Sequence, residues 1–217
     1  MFDILPGILE KDWKEIERKL EIYRSFAKSI HVDFLDGKFA PNTTFLDPAP
    51  FAKYAKDFVL EAHMMVDNPI SLLEPLADAG FRRFIGHVEK MPDQVEFVAR
   101  GELLGEVGLG IDVDTAVEAI KVSLEDLDCV LVMTVKAGFS GQRFMEKNLE
   151  KVKELVAKTS IPIEIDGGVN DSTIEVGCVA GASRFVATSF LFGAETPDKQ
   201  FELLRTCVRP FETRHGL

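Results

Sequence analysis

Cys129-Val130-Leu131-Val132-Met133-Thr134-Val135 is the longest apolar run in the chain, broken only by Thr134. It does not alternate between apolar and polar positions, as a strand with one wet face would. A strand covered on both faces reads this way, and such strands occur mostly in parallel sheets flanked by helices. Seven similar runs lie outward from it: Phe2–Leu5, Ser29–Asp33, Phe58–His63, Arg83–His87, Val107–Ile111, Ile161–Asp166 and Arg184–Thr188. Amphipathic stretches separate them. Lys11–Ala27 places Trp13, Ile16, Leu20, Tyr23 and Ala27 at helical spacing, and Met145, Leu149, Val152 and Val156 do the same later. Asp171-Ser172 reads as a helix start, and Ala79-Gly80 and Ala180-Gly181 read as helix stops. Eight strand–helix units in 217 residues predict a (β/α)8 TIM barrel of the α/β class, a single domain over 1–217. A doubly wound open sheet is the structural alternative, but no Gly-x-Gly-x-x-Gly follows the first run to favour it.

Composition narrows the function. Hydrophobic residues make up 46% of the chain and charged ones 28%, enough apolar material for a buried core. No apolar run approaches the 18 or so residues of a membrane span, and the N-terminal residues lack a signal-peptide pattern. The net charge of −11 argues against nucleic-acid binding by phosphate neutralisation. Three cysteines (129, 178, 207), none at ligand spacing, suit reduced thiols in a cytoplasm.

Polar side chains fall where the strands end, which in a barrel is where active sites are built. In His31-Val32-Asp33, strand alternation turns His31 and Asp33 to one face and Val32 to the other. His63 ends the next strand, and Asp166 ends the seventh, across the mouth. Two imidazoles and two carboxylates converging there fit a divalent metal site. His87-Val88-Glu89 ends the fourth strand and reads as a further ligand pair, a support for a ligand, or a substrate contact.

A second feature is glycine. Gly138-Phe139-Ser140-Gly141-Gln142, Gly167-Gly168 and Thr188-Ser189 follow strands six, seven and eight. Barrel enzymes commonly hold phosphate with backbone N–H groups there, which lets an acidic protein bind an anion. Lys136, just past strand six, is either a Schiff-base lysine of an aldolase or an ordinary solvated lysine.

Taken together, His31–Asn42, His63-Met64-Met65-Val66, Leu131–Val135, Gly138–Phe144 and Glu164–Val169 resemble the ribulose-phosphate 3-epimerase family along nearly the whole chain. The resemblance implies a (β/α)8 barrel holding one divalent ion, zinc or iron(II) foremost, with manganese and cobalt also serving. It assigns the ion to His31, Asp33, His63 and Asp166, and the two acid/base roles to Asp33 and Asp166. It implies substrate contacts from His63, Met65, Met133, Gly138, Ser140, Gly141, Gly167, Gly168, Thr188 and Ser189. The reaction implied is C3 epimerisation between D-ribulose 5-phosphate and D-xylulose 5-phosphate, in a cytoplasmic homo-oligomer.

Four departures bear on the substrate. Pro-Ser-Ile-Leu of the family reads Pro6-Gly7-Ile8-Leu9, a cap methionine is Leu35, Asn-Pro is Lys136-Ala137, and a glycine is Thr188. They keep open the same chemistry on a hexulose phosphate such as D-allulose 6-phosphate, a Lys136 aldolase, and a non-catalytic sugar-phosphate binder.

Overall fold

Eight parallel strands close into a barrel in chain order: β1 (Asp3–Ile8), β2 (Ser29–Leu35), β3 (Val59–Met65), β4 (Phe81–His87), β5 (Glu106–Ile111), β6 (Cys129–Met133), β7 (Ile163–Asp166) and β8 (Arg184–Ala187). The structure is a computed structural model that describes residues 2–193 and 196–212. The domain reading of 1–217 also takes in residue 1, 194–195 and 213–217, which lie outside the described residues. All eight runs become strands, and β1 pairs with β8, so the open-sheet alternative falls.

Among the described residues, seven α-helices cover the barrel: α1 (Trp13–Tyr23), α2 (Leu73–Asp78), α3 (Gln94–Gly101), α4 (Leu149–Val156), α5 (Asp171–Ala180), α6 (Ser189–Phe192) and α7 (Pro197–Glu212). Two connections carry only 3-10 turns. After β2, Pro41, Pro48 and Pro50 interrupt the backbone bonding of a longer helix. After β5, Val113, Val117, Ile120 and Val122 are stiff β-branched residues set among aspartates and Ser123, which favour caps and turns. α1 stops at Tyr23, short of the expected Ala27. It is capped by Asp12, whose carboxylate accepts from the N–H groups of Lys14 and Glu15. α5 begins as expected, although the cap is Asn170 in a reciprocal capping box with Thr173. In α4 the buried face runs through Leu149, Val152 and Leu155, while Val156 is 45% exposed.

Strand alternation divides the apolar residues into two groups. Ile30, Val32 and Phe34 of β2, Leu60, Ala62 and Met64 of β3, and Ile163 and Ile165 of β7 face the helices in the larger core. The inward positions of β6 (Cys129, Leu131, Met133) join Leu35, Met65 and Ile85 in a smaller cluster inside the barrel. Further inward positions of β2, β3, β4 and β7 carry charged or imidazole side chains: His31 and Asp33, Glu61 and His63, Arg83 and His87, Glu164 and Asp166. Register then sets the site, with Asp33 opposite His63 and Met133 opposite Asp166.

Candidate metal centre and active site

The four side chains named from the strand ends meet at the mouth. One nitrogen or oxygen from each of His31, Asp33, His63 and Asp166 lies within 4.8 Å of the others. His31 Nε2 is 3.1 Å from His63 Nδ1 and 3.3 Å from Asp33 Oδ1. His63 Nδ1 is 2.8 Å from Asp33 Oδ1 and 3.6 Å from Asp166 Oδ2. Donors bound to one ion at about 2.0–2.2 Å stand roughly 3–3.6 Å apart in a tetrahedral arrangement. The spacing and the two-imidazole, two-carboxylate donor set therefore fit a divalent ion, and they also fix which nitrogens would face it: Nε2 of His31 and Nδ1 of His63.

The two carboxyl groups are held in opposite states. Burial opposes ionisation of Asp33, but the imidazoles of His31 and His63 beside it outweigh that and keep its pKa well below the usual carboxylate range. Asp166 is pushed up to about 7, by burial first and by the charge of Asp33 next. Burial lowers His63 to about 4, so it is a neutral imidazole. His31 lies well above its ordinary value, because bonds to Asp33, Glu164 and Glu61 outweigh the burial that opposes its charge.

Below the mouth lies a layer that the sequence reading did not single out. Glu61 and Glu164 are fully buried. Glu61 Oε1 accepts from His31 Nδ1 at 2.6 Å, and Glu164 Oε1 lies 3.4 Å from the same nitrogen. That bond occupies the Nδ1 side of His31 and leaves Nε2 for the mouth. Arg83 approaches Glu61 Oε2 at 3.9 Å and ties the layer to Glu106. Glu164 rises to about 8, first through burial and then through the neighbouring charge of Glu61. Both glutamates stand two residues before a site residue, Glu61 before His63 and Glu164 before Asp166, so strand periodicity places them on the same face. That spacing was the signal available in the sequence.

Threonine clasps hold the backbones of Asp33 and Asp166. Thr44 Oγ1 donates to the Asp33 carbonyl at 2.8 Å and accepts from Leu35 N–H at 3.0 Å. Buried Thr134 reaches the carbonyls of Asp166 and Gly167 at 2.9 and 2.6 Å. Gly167 (φ +113°) turns so sharply there that a Cβ would lie 2.9 Å from the Val135 backbone nitrogen.

A pocket opens over this centre, lined by Asp33, Met65, Met133, Gly138, Ser140, Gly141, Asp166, Gly167, Gly168, Thr188 and Ser189, among others. Of the expected substrate contacts, His63 alone is absent from the lining. Its ring is fully buried between His31 and His87. Lys136 is exposed and does not line the pocket, which leaves the Schiff-base reading without a placed lysine.

Residues 3–192 match the model of the Ribulose-phosphate 3 epimerase family. The chain belongs to this family. It is 37% identical over 214 residues to the cytoplasmic isoform of ribulose-phosphate 3-epimerase from Oryza sativa, covering 94% of this chain and 93% of that one. It is 31% identical over 215 residues to the ribulose-phosphate 3-epimerase of Bacillus subtilis, covering 94% and 99%. Among solved structures, 3-keto-L-gulonate-6-phosphate decarboxylase from Vibrio cholerae superposes with a TM-score of 0.73 at 15% identity over 97% of this chain and 99% of that one. At that identity the likeness shows the shared fold. As a member of the epimerase family the chain is an isomerase-class enzyme, and no helix among its described residues is long and apolar enough to cross a membrane.

Proposed function

We propose that this chain interconverts D-ribulose 5-phosphate and D-xylulose 5-phosphate by two-base proton transfer at C3, with Asp33 and Asp166 as the acid/base pair. The observation that carries the reading is the pair itself. These carboxyls come from β2 and β7, three places apart around the barrel, and both line the pocket, so a substrate held there meets one on each side. One base and one acid are what inversion beside a carbonyl requires. Asp33 takes the C3 proton from one face, and Asp166 returns one to the other without any turning of the substrate. In the reverse direction the roles exchange.

A divalent ion, zinc or iron(II) by this donor set and with manganese and cobalt compatible, would be held by His31, Asp33, His63 and Asp166 and would stabilise negative charge developing on the substrate oxygens. The chain's own groups supply the rest. Met65 and Met133 give the mouth apolar walls that exclude water, and both are nearly fully buried. Gly138, Gly141, Gly167 and Gly168, with the hydroxyls of Ser140, Thr188 and Ser189, form the phosphate end of the pocket, whose lining contains no lysine or arginine. The protein works as a single cytoplasmic domain, which its three free cysteines support. Exposed Val156, Val176 and Val179 on α4 and α5 favour assembly with further copies of the chain.

Two of the departures from the family pattern are one change. β1 and β8 are neighbours, and a Cβ on residue 7 would collide with Thr188 Oγ1. Thr188 thus fills the space that a serine at position 7 would need, and a hydroxyl stays at the mouth on the adjacent strand. This favours the pentulose phosphate over a longer ketose, because the exchange leaves the mouth no wider. Gly7→Ser alone is expected to raise KM at least tenfold, and Gly7→Ser with Thr188→Gly to restore it to within a few-fold. A double variant as poor as the single one would contradict the exchange. The assignment itself is tested by comparing kcat/KM for D-ribulose 5-phosphate and D-allulose 6-phosphate. A higher value for the hexulose would overturn it.

A further inference from the structure

His63 presents only its Nδ1 to the site, and the side chains behind it form a chain of hydrogen bonds that ends at a carboxylate. His63 Nε2 is 2.8 Å from His87 Nε2, and His87 Nδ1 is 2.9 Å from Glu89 Oε2. Glu89 is fixed in turn, since its Oε1 accepts from the Asp112 N–H at 2.7 Å. Both imidazoles are fully buried. Space is reserved for the second ring: a Cβ on Gly110 would stand 3.1 Å from His87 Nε2, and Phe39 packs against the ring with centroids 4.8 Å apart.

The direction of the chain follows from its far end. An ionised carboxylate only accepts, so His87 must carry its proton on Nδ1 to donate to Glu89. In a ring that carries one proton Nε2 is then an acceptor, and the 2.8 Å contact has His63 donate from Nε2. A neutral His63 protonated on Nε2 has its lone pair on Nδ1, the atom that faces His31, Asp33 and Asp166. Without this chain, the other tautomer would be favoured by donation from Nδ1 to Asp33 Oδ1 at 2.8 Å, and that proton would block the site.

We propose that His87, oriented by Glu89, is a positioning residue that locks His63 in the Nε2-protonated tautomer and so keeps Nδ1 open for the divalent ion. His87 lies outside the pocket lining and acts through His63 alone. The general rule is that a ligating histidine donates its other N–H to a partner, and loss of that partner weakens metal binding about 10–100-fold. Here the partner is a second histidine, with the carboxylate one step further out.

The inference rests on the ion site of the proposed function, so its first readout needs no ion. Long-range 1H–15N correlation spectra of the metal-free, 15N-labelled protein report which His63 nitrogen carries the proton. The unsubstituted protein is expected to show the Nε2–H form, and His87→Phe, which keeps a ring without nitrogens, to shift His63 toward Nδ1–H. Cobalt(II) affinity, read by visible absorption, is expected to fall 10–100-fold in the same variant. Should His87→Phe fail to fold, Glu89→Gln at the more exposed end is expected to move both readouts in the same direction. A His63 already protonated on Nδ1 in the unsubstituted protein, or a tautomer and cobalt affinity unchanged by these substitutions, would overturn the proposal even if the site binds cobalt normally. Absence of cobalt binding by the unsubstituted protein would overturn the ion site and this inference with it.

Discussion

Asp33→Asn and Asp166→Asn are each expected to lower epimerisation by at least about a thousandfold, yet to fail in mirror-image ways. A two-base enzyme removes the C3 proton of one epimer with one carboxylate and that of the other epimer with the second. With Asp33 gone, Asp166 still reaches one face, so solvent deuterium should enter C3 of one epimer only, without inversion. With Asp166 gone, exchange should be confined to the other epimer. Because both residues also face the ion site, each variant is assayed at ion concentrations that saturate it, with occupancy measured. Equal residual exchange of both epimers in either variant would show that a single group serves both faces.

Removing the divalent ion is the second large effect. Chelation is expected to reduce turnover by roughly a thousandfold or more, about 4 kcal/mol of transition-state stabilisation, with recovery on adding zinc or iron(II) back. Re-binding should depend steeply on pH. Asp166 holds a proton up to about pH 7 in the ion-free site, and His31 is protonated well above its ordinary value. An ion must displace those protons, so affinity should fall at least tenfold per unit as pH drops below 7. The same raised pKa makes the ion-free fold less stable as pH rises. Protonated Asp166 contributes stability that is complete below its unfolded value near 4 and is lost as pH passes through about 7. The thermal shift on adding ion should therefore be larger at pH 8 than at pH 5.5, and differential scanning fluorimetry at the two values decides it. An equal shift at both would mean that Asp166 is not displaced by the ion.

The barrel was legible because its evidence is local. Eight covered strands each declare themselves by a short apolar run, and the four residues that converge at the mouth are of unusual type at strand ends. Period-two alternation then fixed their direction, as His31 and Asp33 show. Features made by distant parts of the chain were harder to read. Thr44 comes from an irregular loop, and nothing near it in sequence marks it as the clasp on Asp33. Gly7 and Thr188 meet only where β1 closes against β8, so the sequence presents as two losses what the fold makes a single exchange. Glu61 and Glu164 were within reach, two positions before His63 and Asp166. Their surroundings of apolar residues hid them, because a carboxylate inside a barrel is stable only beside partners such as His31 and Arg83 that three-dimensional structure supplies. His87 and Glu89 were visible as a pair, but the order of their bonds was not.

The most direct test is proton NMR of D-ribulose 5-phosphate in D2O with the ion-loaded protein, beside a chelated control. Loss of the C3 proton signal is expected together with growth of D-xylulose 5-phosphate, and neither in the control. A substrate that keeps its C3 proton in the presence of the fully loaded protein would contradict the proposed epimerisation.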